Sequence, residues 1–128
     1  MRRPIRRSLA VGSVAALGVA LSAAPIDAHA VLVRSAPAGR ATLSHTPARV
    51  DLWFSEPLEP AFSNISVWSP SGARVDRRDG AVTSTDPKQL SVALDAIGPG
   101  TYTVRFRVLS VDGHVVESSF PFTVKPKP

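Results

Sequence analysis

From Thr101 to Ser110 the chain alternates, with Tyr102, Val104, Phe106 and Val108 on one parity and Thr103, Arg105 and Arg107 on the other. Alternation at period two describes an extended strand with one buried and one wet face, whereas a helix repeats its faces about every 3.6 residues. Val115 to Val124 resumes the pattern through Phe120, Phe122 and Val124, so the two runs predict an antiparallel pair. They are joined through Val111-Asp112-Gly113-His114. Asp112 and His114 are two positions apart, so on extended backbone their side chains point to one face, and Gly113 lets the chain bend between them.

The rest of the chain after position 29 repeats this style in shorter pieces. Ala30 to Ser35 is a first strand closed by Pro37 and Gly39, and Arg49 to Ser55 directs Val50, Leu52 and Phe54 inward between Pro47 and Pro57. Ser63 to Ser69 carries Ile65 and Val67 on one face, with Trp68 expected in the core or packed on a sheet. The Pro70-Ser71-Gly72 turn offers Ala73 to Asp76 as a hairpin partner. Arg77 to Lys88 reads as a polar loop with at most a short edge strand, and Gln89 to Asp95 alternates through Leu90, Val92 and Leu94. About seven short strands in about 100 residues predict an all-β domain, a small Greek-key barrel or immunoglobulin-like sandwich.

The first 28 residues are of another kind. Arg2, Arg3, Arg6 and Arg7 precede an uncharged Ala-, Val- and Leu-rich run from Ser8 to Ala24 that ends in small residues, the layout of a cleaved export signal. The run is short and poor in Leu and Ile for a membrane span. Arg6-Arg7-Ser8-Leu9 loosely matches a twin-arginine signal, which leaves the export route open between that and the general pathway. The predicted division is residues 1–28 as signal peptide, 29–124 as the β domain and 125–128 as a prolyl tail. The small-x-small rule favours Ala28-His29-Ala30, with a cut before Val31, over Ile26-Asp27-Ala28, which would cut before His29. Removing the leader takes away four arginines and Asp27 and leaves eleven basic against nine acidic residues, about +2. The basicity of the whole chain therefore belongs mostly to the leader, and a nucleic-acid partner is not expected. No later apolar run is long enough for a bilayer, so the exported protein is expected to be non-spanning, in the periplasm or extracytoplasmic envelope.

With no cysteine, no Gly-x-Ser-x-Gly turn and no phosphate-cradling glycine loop, nucleophilic and phosphoryl chemistry have little to work with. Glu56 and Glu59 can be paired as acid and base, but two surface acids at a strand end describe them as well. The remaining constellation is His29, Asp112 and His114, with Glu56 more remote. Its nitrogen and oxygen donors, without sulfur, suit a divalent ion such as Cu(II), Zn(II) or Ni(II). Asp-x-His by itself describes an ordinary polar turn equally well. His45, before Pro47, reads as an exposed histidine.

Three ordered motifs resemble the CopC family of periplasmic copper-binding proteins: His29-Ala30-x-Leu32-x-x-Ser35-x-Pro37-Ala38, Val50-x-Leu52-x-Phe54-Ser55-Glu56-Pro57, and Gly100-Thr101-Tyr102 through Ser110-x-Asp112-Gly113-His114. The resemblance spans the mature chain. It implies a Greek-key β-barrel with a Cu(II) site at one end, His29 as first residue of the mature protein, His29, Asp112 and His114 as ligands, and Glu56 as an outer or occasional ligand. Cleavage between Ala28 and His29 is therefore expected. A terminal histidine can chelate through its amine and near ring nitrogen, and His114 can add a third nitrogen in the T-shaped arrangement tetragonal Cu(II) accepts. Imidazoles and α-amines release their protons near about 6.5 and about 7.7 to 8.0, so such a site is expected to weaken in acid. Some relatives carry a methionine-rich Cu(I) site; the only methionine here is Met1, so none is expected.

The implied role is copper resistance, sequestration or delivery to a CopD-type inner-membrane transporter, without enzymatic activity. Two other readings compete. A terminal-histidine brace also serves oxidative polysaccharide-cleaving enzymes, against which stand the small domain and the added carboxylate. An exported immunoglobulin-like interaction module with incidental histidines is the third.

Overall fold

A computed structural model describes residues 30–128, together with Pro4 and Gly12. His29 and, apart from Pro4 and Gly12, the segment expected to be an export leader lie outside the described residues. Within them the chain forms β1 (Leu32–Ala36), β2 (Thr42–Leu43), β3 (Arg49–Phe54), β4 (Asn64–Trp68), β5 (Ala81–Val82), β6 (Gln89–Ala93), β7 (Gly100–Leu109) and β8 (Val115–Val124). A single 3-10 turn covers Pro60–Phe62, and no helix among the described residues is long and apolar enough to cross a membrane. Two four-stranded sheets result, in the orders β1-β3-β6-β5 and β2-β8-β7-β4. The fold is thus the all-β sandwich the alternation predicts.

The buried parity is the expected one. Val50, Leu52 and Phe54 of β3 and Leu90 and Val92 of β6 face Ile65, Val67, Tyr102, Val104, Phe106, Val108, Phe122 and Val124 of the other sheet. Phe54 meets Phe106 edge to face across the core, with ring centroids 5.4 Å apart. Tyr102 stacks on its cross-strand partner Phe122 and donates its hydroxyl to the Gly98 carbonyl at 2.8 Å. The Tyr102 ring is thereby buried without orphaning its polar tip.

Two elements differ in detail from the sequence reading. β2 has only two residues and pairs parallel to the end of β8, a contact too short to leave a periodic signal. Ala73 to Asp76 joins its neighbours by the single bridges Trp68 to Arg74 and Asp76 to Leu94 rather than by a ladder. Trp68 is half-buried, with the Arg105 guanidinium 5.1 Å from its ring, and it packs on the sheet rather than in the core. Trp53 on the other sheet lies under Arg34 at 3.8 Å.

Where residues 73–76 cross from one sheet to the other, Asp76 is buried. Its carboxylate accepts from Val67 N and Arg78 N, each at 2.9 Å, and from Arg74 Nε at 2.8 Å. Burial alone would push this carboxyl up, but the Arg74 hydrogen bond and charge and the two backbone donors together hold it below the usual carboxylate value. A depressed carboxylate contributes stability above its unfolded value of about 3.9, and that stability is lost as pH falls through the lower folded value. Asp76→Ala should cost about 3–5 kcal/mol at pH 7, because it strands the buried donors. Urea unfolding should show the gap between wild type and variant narrowing as pH is lowered from 5 towards 3. A gap that stays constant over that range would mean that the charge of Asp76 is not what holds the crossing.

Candidate metal centre

The β7–β8 ladder ends at the Leu109–Val115 pair and leaves five residues for the turn. Ser110 N donates to His114 O and Gly113 N to Ser110 O, each at 2.9 Å, which closes the loop on itself. Gly113 has φ +91°, a left-handed value in which a Cβ would be strained, so glycine is what lets the chain turn between the two candidate ligands.

A second segment straps this turn to the other sheet. Leaving β3, the chain runs past β7: Glu59 N donates to Leu109 O at 2.8 Å, Val111 N donates to Pro57 O at 3.0 Å, and Leu58 bridges Ser110. At the strap's other end Ser55 N donates to Val31 O at 2.8 Å, and Val31 N donates to Ser55 Oγ at 2.9 Å. Ala30, just before, is fully buried in the core. Residues 30–31, 55–59 and 109–114 therefore meet at one end of the sandwich. Half-buried Glu56 lies between the residue tied to Val31 and the residue tied to Val111.

Asp112 and His114 are held close, with Nδ1 of the imidazole 3.2 Å from Oδ1 of the carboxylate. Their side chains are 29% and 47% exposed, open enough for an ion to reach. The same Oδ1 accepts from the Ser110 hydroxyl and, at 3.3 Å, from His114 N. The Ser110 bond is the chief reason the Asp112 carboxyl lies below the usual range; desolvation opposes it, and the His114 imidazole and N–H reinforce it. The carboxylate is thus ionised at neutral pH and ready to meet a cation. Ser110 carried no role in the sequence reading, although its parity was a signal: it continues the inward series of Tyr102, Val104, Phe106 and Val108 and places a hydroxyl where an apolar side chain is due.

His45 is elsewhere. It is exposed and lines a groove with Ile97, Pro99, Val124 and Lys125, beside the start of β7. The ten residues of β7 separate that groove from the Asp112 turn by roughly 30 Å. Among the described residues no group of three or more His, Cys, Asp and Glu could hold a metal ion. Asp112 and His114 are one carboxylate and one imidazole, donors of the type that suits divalent copper, zinc or nickel. Val31, Val33, Phe62, Val111 and Val115 are the exposed large apolar side chains of the described residues, and Val111 and Val115 belong to the turn and its exit.

Comparison with known proteins gives this arrangement a family. Escherichia coli (strain K12) protein YobA is 36% identical over 124 residues, 96% of each chain. Copper resistance protein C of Xanthomonas campestris pv. juglandis is 35% identical, covering 93% of this chain and 97% of that protein. The crystal structure of CopC from Methylosinus trichosporium OB3b superposes with a TM-score of 0.72 at 35% identity, over 78% of this chain and 97% of that one. The CopC domain model matches residues 32–125, which takes in both sheets, the strap and the Asp112 turn, and the chain belongs to the CopC family.

Proposed function

We propose that this protein is exported, loses residues 1–28, and holds one Cu(II) between the new terminal His29 and the turn that carries Asp112 and His114, serving copper resistance, sequestration or delivery. The observation that carries this reading is the anchoring of Ala30 and Val31 at the same end as that turn. In sequence, His29 directly precedes the buried Ala30. The carboxylate and imidazole among the described residues are donors that a terminal histidine, with its amine and ring nitrogen, would complete.

In this reading each residue has a separate task. His29 chelates through two nitrogens, and the amine becomes available only on cleavage, so the full site forms outside the cytoplasm. His114 adds a third nitrogen. Asp112 supplies an anionic oxygen, which favours a divalent ion over a monovalent one, and Glu56 stands as an outer or occasional ligand. With no methionine after Met1, no thioether site competes for Cu(I). Binding rather than catalysis accords with the names of the relatives, which describe copper resistance. The exposed Val111 and Val115 at the turn suit contact with a protein, in keeping with hand-over to a CopD-type inner-membrane transporter.

Intact mass of the exported protein, combined with Cu(II) titration and electron paramagnetic resonance, tests the proposal. The expected result is a chain beginning at His29 that binds one Cu(II) with a nitrogen-rich spectrum. A chain beginning at Val31, or stoichiometric binding that survives removal of His29, overturns it. His114→Ala should lower affinity by more than the ~10–100-fold typical of losing a group that only supports a ligand. His45→Ala, at the other end of the sandwich, should leave the titration unchanged. Robust polysaccharide oxidation with ascorbate or peroxide, abolished in His114→Ala, would move the assignment to an oxidative enzyme.

A further inference from the structure

A hydroxyl at a core position has to be accounted for. Ser110 is fully buried, and burying a hydroxyl without a partner is unfavourable. Its bonds lead to one place. Ser110 Oγ donates to Asp112 Oδ1, and at 3.4 Å it also lies within reach of both the backbone N and the backbone O of His114. Among the described residues, the hydrogen bonds and the ion pair of the Asp112 carboxylate fall on Oδ1, from Ser110 Oγ, His114 N and His114 Nδ1, and none falls on Oδ2.

The hydroxyl is also attached to something rigid. Ser110 follows Val108 on the buried parity of β7 and bridges Leu58 of the strap, so its backbone is fixed from both sheets. Asp112 and His114 sit beyond the end of the ladder, where backbone pairing no longer restrains side chains.

We propose that Ser110 is a positioning residue for the metal site: its buried hydroxyl clamps Oδ1 of Asp112, so that the carboxylate is preset on the His114 side of the turn with Oδ2 directed to the cation. The inference rests on the copper-binding reading above and adds to it the group that orders its carboxylate. Clamping one oxygen removes the rotamer freedom an exposed aspartate would otherwise lose on binding, and it favours one-oxygen over two-oxygen coordination. Groups that orient a metal ligand in this manner are typically worth ~10–100-fold in affinity.

The test is a double-mutant cycle on the mature, cleaved protein: wild type, Ser110→Ala, Asp112→Ala and the double variant. Each is checked for folding by metal-free thermal unfolding and then titrated with Cu(II) against a competing chelator. Ser110→Ala should lose ~10–100-fold in affinity and shift the Cu(II) hyperfine pattern. In the Asp112→Ala background the same change should cost less than about threefold, because the group it acts through is gone. Equal losses in both backgrounds, or wild-type binding by Ser110→Ala, overturn the proposal while leaving the copper reading intact. If wild type binds no Cu(II), the copper reading itself fails. A measurement that needs neither copper nor the Ser110 variant covers that case and the case of a misfolded Ser110→Ala: the Ser110 hydroxyl proton in metal-free wild type. It should be protected from exchange with water and lose that protection in Asp112→Ala; rapid exchange in wild type refutes the clamp.

Discussion

The ladder between β7 and β8 is the part on which the others depend. Ten consecutive pairs, from Gly100 with Val124 to Leu109 with Val115, fix which parity of each strand faces the other sheet. A slip of one residue would turn Tyr102, Val104, Phe106 and Val108 to solvent and bring Arg105 and Arg107 into the core. Phe106 against Phe54 and Tyr102 on Phe122 resist that slip from both directions. The same register decides where the ladder stops, and therefore that residues 110–114 form the turn and Ser110 points inward.

An end of a β sandwich is a natural place for a ligand site, because pairing has ceased and side chains there are not committed to either face. The same freedom works against geometric definition. Here it is limited by the strap from Ser55 to Glu59, which bonds to Val31 at one end and to Leu109 and Val111 at the other. Three stretches distant in sequence are thus stitched by backbone hydrogen bonds, which cannot drift as surface side chains do. Asp76 does comparable work at the crossing between the sheets, satisfying two backbone donors and a guanidinium with one buried carboxylate.

How far the sequence could be read depended on how many residues carried each signal. β3, β7 and β8 each alternate over several residues, and their buried faces are those the pattern requires, whereas β6 buries Leu90 and Val92 as expected and also Ser91 on the opposite parity. β2 has two residues and a parallel partner about 80 positions away, so no local pattern encodes it. Trp68 was ambiguous because a tryptophan can serve as core or as cover, and only the position of Arg105 distinguishes them. That Asp112 and His114 lie close together is legible from their spacing. Ser110 was overlooked because serine beside a turn is unremarkable unless strand parity is followed to its last position. His29 lies outside the described residues, and its role rests on the resemblance and on how Ala30 and Val31 are held.

Those two residues bear on the choice between cleavage points. A cut before Val31 would delete Ala30, whose buried methyl is worth about 0.8 kcal/mol, and would turn the amide that donates to Ser55 Oγ into a charged amine. Neither loss would unfold a domain with this core, so stability alone discriminates weakly. Chemistry discriminates more sharply. A valine terminus offers one amine and no ring nitrogen, whereas a histidine terminus offers both in a single chelate, one residue from a point pinned to the core. On the proposed reading the buried Ala30 acts as the fixed pivot of that chelate, and the Ser110–Asp112 clamp is its counterpart across the site. Each holds its donors with groups that do not themselves touch the metal.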